Sequence, residues 1–303
     1  MKVIFLALLL SISSHALAAE REGEQNTHID RVILNFSIDK EDNFHPDIYL
    51  PFSLTEELSA GFAYHSTADY LRNEKVLNIA NSDKNTNINY DFINIYPVLW
   101  KSDNNILGID IGIIDIDKKQ TGFFTDTGQT FVFSTDLTIQ VVKPSFFYRF
   151  NQLNDKGNGV LYGVSVSPFS DLSVTQSTVL SGALNQSGSA DGDAESSVSF
   201  RFEIDGRHKF SSGRQSYYGF EYEYLPMEYT LAVLGSNGNF TNQSFDVLEH
   251  IFKASYKIQL NTELFNGLKP VIGISYEKTS GEDNNSGEDY TYDRFLIVFG
   301  IEG

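Results

Sequence analysis

The 303-residue sequence contains no cysteine and only one tryptophan. The lack of cysteine excludes disulfide bonds and also a lipid attached to an N-terminal cysteine. An exported chain without disulfides needs a large core or a surrounding membrane for its stability. Basic residues are scarce as well, since 22 Lys and Arg stand against 40 Asp and Glu, a formal net charge of −18. Because nucleic-acid binding requires basic patches, nucleic acid is not expected as a partner.

Long apolar runs are also lacking. After residue 19 no segment offers the roughly 18 consecutive apolar residues that a membrane-spanning helix requires. The apolar run Val3–Leu10 follows a single lysine and precedes a stretch of small residues that contains the motif Ala16-Leu17-Ala18. This layout is typical of a cleaved secretory signal peptide. We therefore predict a signal peptide over residues 1–18 and a single domain over residues 19–303.

The rest of the chain is rich in Phe (24) and Tyr (16), which are favoured in strands. Apolar and polar residues alternate in segments of about ten residues, separated by turn-forming residues. In the last segment, Phe295, Ile297, Phe299 and Ile301 fall on one face. The segment 88–101 breaks the alternation, which indicates a bulge. Twelve strands are predicted, over residues 31–39, 46–53, 58–70, 88–101, 106–117, 130–150, 159–171, 196–206, 216–230, 247–260, 268–279 and 290–301.

Alternation alone fits two architectures. A soluble sandwich buries its apolar face and wets its polar face, whereas a membrane barrel turns the apolar face to lipid and the polar face to its lumen. Connection lengths favour the barrel, because short turns alternate with long polar connections, which are predicted at residues 68–87, 118–129, 174–195, 234–246 and 280–289. The predicted fold class is therefore all-β, a closed antiparallel up-and-down transmembrane β-barrel. Its last strand pairs with the first, so that no edge stays open.

Together, these features resemble a bacterial outer-membrane β-barrel. The strand count is similar to that of autotransporter translocation barrels, omptin proteases, outer-membrane phospholipase A and narrow oligosaccharide or nucleoside channels. The chain most resembles a solitary autotransporter-like barrel without a passenger, since only about twelve residues separate the predicted cleavage site from the first strand. One departure is the final segment Phe299-Gly-Ile-Glu-Gly303, because such barrels usually finish on an aromatic residue that the assembly machinery recognises.

The resemblance also implies a location and partners. We expect the chain in the outer membrane of a Gram-negative bacterium, in contact with membrane lipids, lipopolysaccharide and the outer-membrane assembly machinery. No cofactor is implied. The sequence predicts neither the oligomeric state nor a transported solute.

The polar faces of the predicted strands carry charges of both signs. The residues predicted to line the lumen are Asp110, Arg201, Glu203, Asp205, Glu221, Glu223, Lys253, Lys257 and Arg294, and the same register adds Asp136, Arg149 and Glu277. Such charges can line a water-filled pore, or they can pair across a narrow lumen into a closed network. We expect a narrow, porin-like pore or a translocator barrel, with a closed structural or surface-interaction barrel as the alternative.

A barrel hydrolase of the omptin or phospholipase type is a further alternative. Such sites place a histidine within hydrogen-bond reach of a carboxylate or a nucleophile. His65 lies on a predicted polar face, whereas His250 aligns with apolar residues. Neither lies in a sequence pattern of these families, so no catalytic residue is assigned and no enzymatic activity is expected. The acidic clusters in residues 191–195 and 282–289 lack the spacing of a calcium loop, and no metal site is predicted.

Overall fold

The structure is a computed structural model, which describes residues 32–39, 44–53, 59–67, 72–74, 82–102, 104–126, 129–154, 158–181, 186–196, 198–234, 240–264, 268–284 and 288–302. The predicted signal peptide and His28 lie outside the described residues. In the described part of the chain, no helix is long and apolar enough to cross a membrane. The strands of the described part are β1 (Ile33–Ile38), β2 (Phe44–Ser53), β3 (Ser59–Thr67), β4 (Arg72–Glu74), β5 (Ser82–Lys101), β6 (Asn105–Asp126), β7 (Gln129–Leu153), β8 (Gly159–Ser167), β9 (Ser170–Ser181), β10 (Gln186–Ser196), β11 (Ser199–Lys209), β12 (Gln215–Leu234), β13 (Phe240–Gln259), β14 (Lys269–Asp283) and β15 (Glu288–Glu302).

Twelve of the described strands close into an antiparallel barrel, in the order β1-β2-β3-β5-β6-β7-β8-β11-β12-β13-β14-β15. At the seam between β15 and β1, Ile301 lies opposite Leu34 and Phe299 lies opposite Phe36. The predicted fold class and the predicted pairing of the last strand with the first are therefore confirmed. β7 pairs along one half with β8 and along the other half with β9, so that β9 and β10 continue the wall beyond β8 and β11.

The two ends of the barrel differ in how far the strands project. At one end, which we call the turn end, each of five strands ends beside the start of the strand it pairs with, namely β2 beside β3, β5 beside β6, β7 beside β8, β11 beside β12 and β13 beside β14. At the opposite end, which we call the hairpin end, the pairs β6–β7, β9–β10 and β12–β13 project as long hairpins. The part of the barrel that is closed by all twelve strands is called the barrel body below.

The long polar connections predicted at residues 118–129, 174–195 and 234–246 are wrong, because most of their residues are strand in these hairpins. Most of residues 280–289 are likewise strand, in β14 and β15, whereas most of residues 68–87 lie outside the described residues. Polar side chains of the hairpins pair across neighbouring strands. The hydroxyl groups of Thr135 and Thr178 lie 3.1 Å apart across β7 and β9, and those of Thr125 and Thr130 lie 3.3 Å apart across β6 and β7. Cross-strand pairs of this kind stabilise strands whose side chains are polar, so a polar segment does not have to be a loop.

The barrel body carries its large apolar side chains on the outside. On β15, Phe295 is 72% exposed and Ile297 is 61% exposed, whereas Arg294, Leu296 and Val298 alternate with them and are buried. Other exposed apolar residues of the body are Leu107, Ile111, Phe146, Tyr162, Val164, Phe200, Phe202, Ile272 and Ile274. Soluble monomers rarely expose contiguous apolar surface of this extent. The exterior is that of a barrel surrounded by lipid.

The irregular segment 88–101 holds the expected bulge. The register between β5 and β6 shifts between Val98 and Trp100, directly after Pro97. A second irregularity separates β8 from β9. There the Ser167 hydroxyl lies 2.8 Å from the carbonyl oxygen of Pro144, so a side chain supplies a hydrogen bond where the ladder is interrupted.

Candidate functional site in the barrel lumen

The lumen of the barrel body is crossed by buried ion pairs. The first cluster joins β6 and β7 to β11 and β12. Arg201 donates to Asp110 (2.9 Å), Lys143 donates to Glu223, and Arg149 donates to Glu203. The partners lie two or three strands apart around the barrel, so these bonds reach across the lumen and not along the wall.

Aromatic rings hold the two arginines of this cluster in place. The guanidinium carbon of Arg149 lies 4.9 Å from the ring centre of Phe147 and 5.3 Å from that of Tyr96, and Arg201 lies 5.8 Å from Tyr96. Cation–π contacts of this length stabilise a desolvated guanidinium. Gly163 makes room for the pair, because a Cβ there would lie 2.3 Å from the Glu203 carboxylate.

A second cluster bridges nearly opposite walls. Arg294 donates to Glu277 (2.5 and 2.9 Å) and contacts the buried His45 (3.2 Å). His65 Nε2 lies 3.2 Å from the same Glu277, and His65 Nδ1 lies 3.3 Å from Lys253 Nζ. Because β13 and β3 are five strands apart in the ring of twelve, the contact between Lys253 and His65 spans almost the full width of the lumen.

The seam has its own polar contacts. Glu302 is fully buried and bonds to Lys257 and to the Asn35 side chain (2.7 Å), and its main-chain oxygen accepts a hydrogen bond from Gln259 (3.1 Å). These contacts tie β15 to its neighbour β1 and to β13. The pairing of the last strand is therefore secured by side chains as well as by the backbone ladder.

The structure places all nine predicted lumen residues inside the barrel. Six of them take part in the ion pairs above, and Lys253 lies 4.0 Å from Glu277. Asp205 and Glu221 line the cavity described below. That they line a conducting path stays a prediction. The placement of Asp136 was wrong: its side chain is 64% exposed and lies 3.6 Å from Lys119. The alternation on β7 turns Leu137 inward, and Asp136 therefore points outward.

Sequence reasoning missed several partners in these clusters, namely Lys143, Asn35, His45 and Glu302. Lys143 could have been found by counting back from Arg149 in steps of two, since both lie on the inward face of β7. Asn35 lies within the predicted first strand, and His45 lies directly before the predicted second strand, 46–53. His250 lies on the outer face as expected, where it contacts the Tyr222 hydroxyl at 2.9 Å.

At the hairpin end, most of the described inward-facing side chains are apolar, although Gln176, Thr178 and Glu249 are buried there as well. The apolar side chains form what we call the hairpin-end core, which consists of Ile114, Ile116, Leu137, Ile139, Val141, Leu172, Val174, Leu225, Met227, Val247 and Tyr292. Residues from β6, β7 and β9 pack there with residues from β12, β13 and β15. The Gln176 side chain also bonds to both backbone groups of Ala232 (2.7 and 3.1 Å), which fastens β9 to β12. The described structure is therefore filled by apolar side chains at this level.

A cavity of about 240 Å³ remains in the barrel body. Its lining includes five carboxylates (Asp47, Glu203, Asp205, Glu221 and Glu277) and five basic side chains (Arg149, Arg201, Arg207, Lys253 and Lys257). Tyr49, Tyr96 and Phe92 supply aromatic surface. Among the described residues, no group of three or more His, Asp or Glu side chains is arranged to hold a metal ion.

Comparisons with known proteins reach the fold only. No protein-family model matches the sequence, and no curated protein matches it. The structure is similar to the translocator domain of the autotransporter NalP from Neisseria meningitidis, with 12% identity, a TM-score of 0.50 and coverage of 98% of this chain and 96% of that one. It is also similar to the toluene transporter TodX from Pseudomonas putida, with 11% identity, a TM-score of 0.47 and coverage of 95% and 92%. At 12% identity, the first likeness shows a shared barrel fold.

Proposed function

We propose that the chain is an integral barrel of the bacterial outer membrane that acts as a narrow pore for small polar solutes. The turn end faces the periplasm, and the hairpin end projects to the outside. The observation that carries this proposal is the charged cavity inside a barrel whose exterior is apolar. A wall that keeps polar groups away from lipid and turns them to an interior space is the arrangement of a membrane pore.

The hairpin-end core serves as the gate of this pore. Apolar constrictions close channels because water leaves a narrow apolar space. Passage then requires the walls at Leu172 and Leu225 to separate. A polypeptide translocator is the less favoured function, because the Lys143–Glu223 ion pair between β7 and β12 and the Lys253–His65 contact between β13 and β3 divide the space that an extended chain would need.

Conductance in planar lipid bilayers tests the pore. We expect the purified protein to show discrete openings, and the variant Leu172→Ser/Leu225→Ser to be open for a larger fraction of the time, because hydroxyl groups keep water in the constriction. Val179→Ser is the matched control, since this residue of β9 is half exposed on the opposite face. A folded barrel that stays silent in both forms would refute the pore.

The cross-lumen ion pairs favour a second candidate, a closed barrel that acts through its surface. Buried pairs between Lys143 and Glu223 and between Arg201 and Asp110 hold the walls together whatever the solute. The bilayer experiment separates this candidate from the pore.

The membrane location has its own test: the protein extracted in detergent should migrate differently on a gel before and after heating, and a protein that stays soluble without detergent would contradict it.

We propose no enzymatic role. His65 has one ring nitrogen beside Glu277 and the other beside Lys253, so both nitrogens belong to the ion network. This arrangement favours a structural role over general-base chemistry. If a screen of lipid and peptide substrates found a hydrolytic activity that His65→Ala abolished, this part of the proposal would be wrong.

A further inference from the structure

The cavity in the barrel body offers hydrogen-bonding groups of both charges that the protein itself leaves unused. Arg149 and Arg201 both line it, and each is more than nine-tenths buried. Within the described ranges, Arg149 Nη1 and Arg201 Nε have no hydrogen-bond partner. A buried donor without a partner is costly and rare, so these two nitrogens point to a ligand that accepts hydrogen bonds.

The two guanidinium groups are held ready for such a ligand. Each uses part of its donors on one carboxylate, Arg149 on Glu203 and Arg201 on Asp110, and each rests on the ring of Tyr96. Arginine carries five donors in a rigid plane, so one carboxylate does not saturate it. A second carboxylate fits the remaining donors, because planar charge-assisted bonds to carboxylates are the strongest that arginine makes.

Unused acceptors lie in the same cavity. Among the described residues, Asp205 and Glu221 make no hydrogen bond and no close ion pair, although both line the cavity and are partly buried. Glu221 lies opposite Glu203 on one side and Lys253 on the other in the strand register. A carboxylate in this place accepts hydrogen bonds from an ammonium group.

The balance of charges selects the class of ligand. The lining carries five acidic and five basic side chains, so a solute of net charge gains little from the cavity as a whole. A solute with one carboxylate and one ammonium group matches both sets of unused groups. The volume of about 240 Å³ lies below the roughly 300–1,000 Å³ of sites for drug-sized ligands, which indicates a molecule of amino-acid size.

We propose that this cavity binds a small zwitterion of the amino-acid class, with its carboxylate on Arg149 and Arg201 and its ammonium group on Glu221 and Asp205. The inference names the solute class of the proposed pore, and its meaning for transport rests on that proposal. Binding itself is measured independently of conduction.

The test uses the full refolded protein in detergent and three probes, L-alanine, N-acetyl-L-alanine and L-alaninamide, with dissociation constants from ligand-observed NMR. We expect alanine to bind. Each derivative should bind at least about tenfold more weakly, because each loses one charge-assisted hydrogen bond. Glu221→Gln should weaken the binding of alanine about tenfold and leave the binding of N-acetylalanine unchanged. Arg149→Lys should weaken the binding of alanine and of N-acetylalanine, and it should leave the binding of alaninamide unchanged. Glu228→Gln, on an exposed part of the same strand as Glu221, is the matched control and should change nothing.

Three results would overturn the proposal: no binding of alanine to the folded barrel, a derivative that binds as tightly as alanine, or a Glu221→Gln variant with unchanged affinity. Failure of the pore is a different result. Alanine binding together with a silent bilayer refutes the pore and keeps the site, whereas conductance without alanine binding refutes the site and keeps the pore.

Discussion

The barrel body and the hairpin end have opposite polarity, although the same strands run through both. In the body, β6 turns Asp110 inward and Ile111 outward. Four residues further along the inward face, Ile114 and Ile116 belong to the hairpin-end core, while Asp115 and Asp117 bond to polar neighbours on the exposed face. The body is built for lipid outside and the hairpin end for water outside. On β6, this change of polarity is the one expected where a strand passes from lipid into water.

The two regions are stabilised by different interactions. The hairpin end folds as a soluble β-sandwich does, by burying apolar side chains between its walls. Lipid removes that driving force from the outer face of the body, so the body depends on backbone pairing and on polar contacts across its lumen. Matched substitutions in the two regions should therefore differ in their effect on stability.

The largest effect is expected from Lys143→Met in the body. Glu223 is 4% exposed, and the substitution leaves its charge buried without its partner, which costs about 3–5 kcal/mol of unfolding free energy. Urea unfolding of the barrel refolded in lipid vesicles measures the loss. In the double variant Lys143→Met/Glu223→Leu no charge is stranded, and most of the stability should return. A single variant that is no less stable than the double one would contradict a charged body lumen.

A smaller loss is expected from Val174→Ala in the hairpin-end core. Val174 is 2% exposed, and removing two buried carbon atoms costs about 2 kcal/mol. Val179→Ala on the same strand is the matched control, because Val179 is 50% exposed and faces water. Its loss should stay below about 0.5 kcal/mol. Equal losses for the two valines would mean that both faces are buried, and the contrast between body and hairpin end would fail.

Gly163→Ala tests how tightly the body lumen is packed. The added methyl group meets both the carboxylate and the stem of Glu203, which is held by Arg149, so we expect a loss of about 1–2 kcal/mol. Gly112 also faces the lumen, but a Cβ there would lie 3.0 Å from its nearest atom, the Asn94 amide nitrogen, which donates to Asp110 (2.8 Å) and has to shift by only a few tenths of an ångström. Urea unfolding should show little change for the control Gly112→Ala. If both variants lowered the unfolding free energy by the same amount, Glu203 would not be closely packed against Gly163.

The fold could be predicted from the sequence because alternation at a spacing of two is a local property. The spacing of Phe295, Ile297 and Phe299 shows that they share one face of β15, whichever strands it pairs with. An even number of strands allows the last strand to pair antiparallel with the first. The predicted loops failed for a physical reason. Polar residues of the hairpins that pair across neighbouring strands, such as Thr125 with Thr130 and Thr178 with Thr135, have the composition of loop residues.

The lumen was harder to predict. Strand alternation gives the face on which Arg201 or Lys253 lies, but which carboxylate each one meets depends on contacts between strands far apart in the sequence. The hairpin-end core did leave a signal. Two apolar residues stand side by side at Ile113 and Ile114, at Val141 and Val142, and at Val247 and Leu248, where the inward face changes from polar to apolar while the outward face is still apolar.

The smallest effect is expected from Lys119→Met on the water-facing side of the hairpin end. Lys119 and Asp136 lie 3.6 Å apart, and each side chain is 64% exposed, so water screens the pair and its loss should change stability by less than about 0.5 kcal/mol. Lys143→Met makes the same chemical change in the body, which makes the two variants a matched pair. Raising the salt concentration should abolish the small Lys119 effect and leave the Lys143 effect intact, because salt does not reach a buried pair. If the two substitutions lowered the unfolding free energy equally, or if salt reduced both effects alike, the body lumen would be as open to water as the hairpin surface.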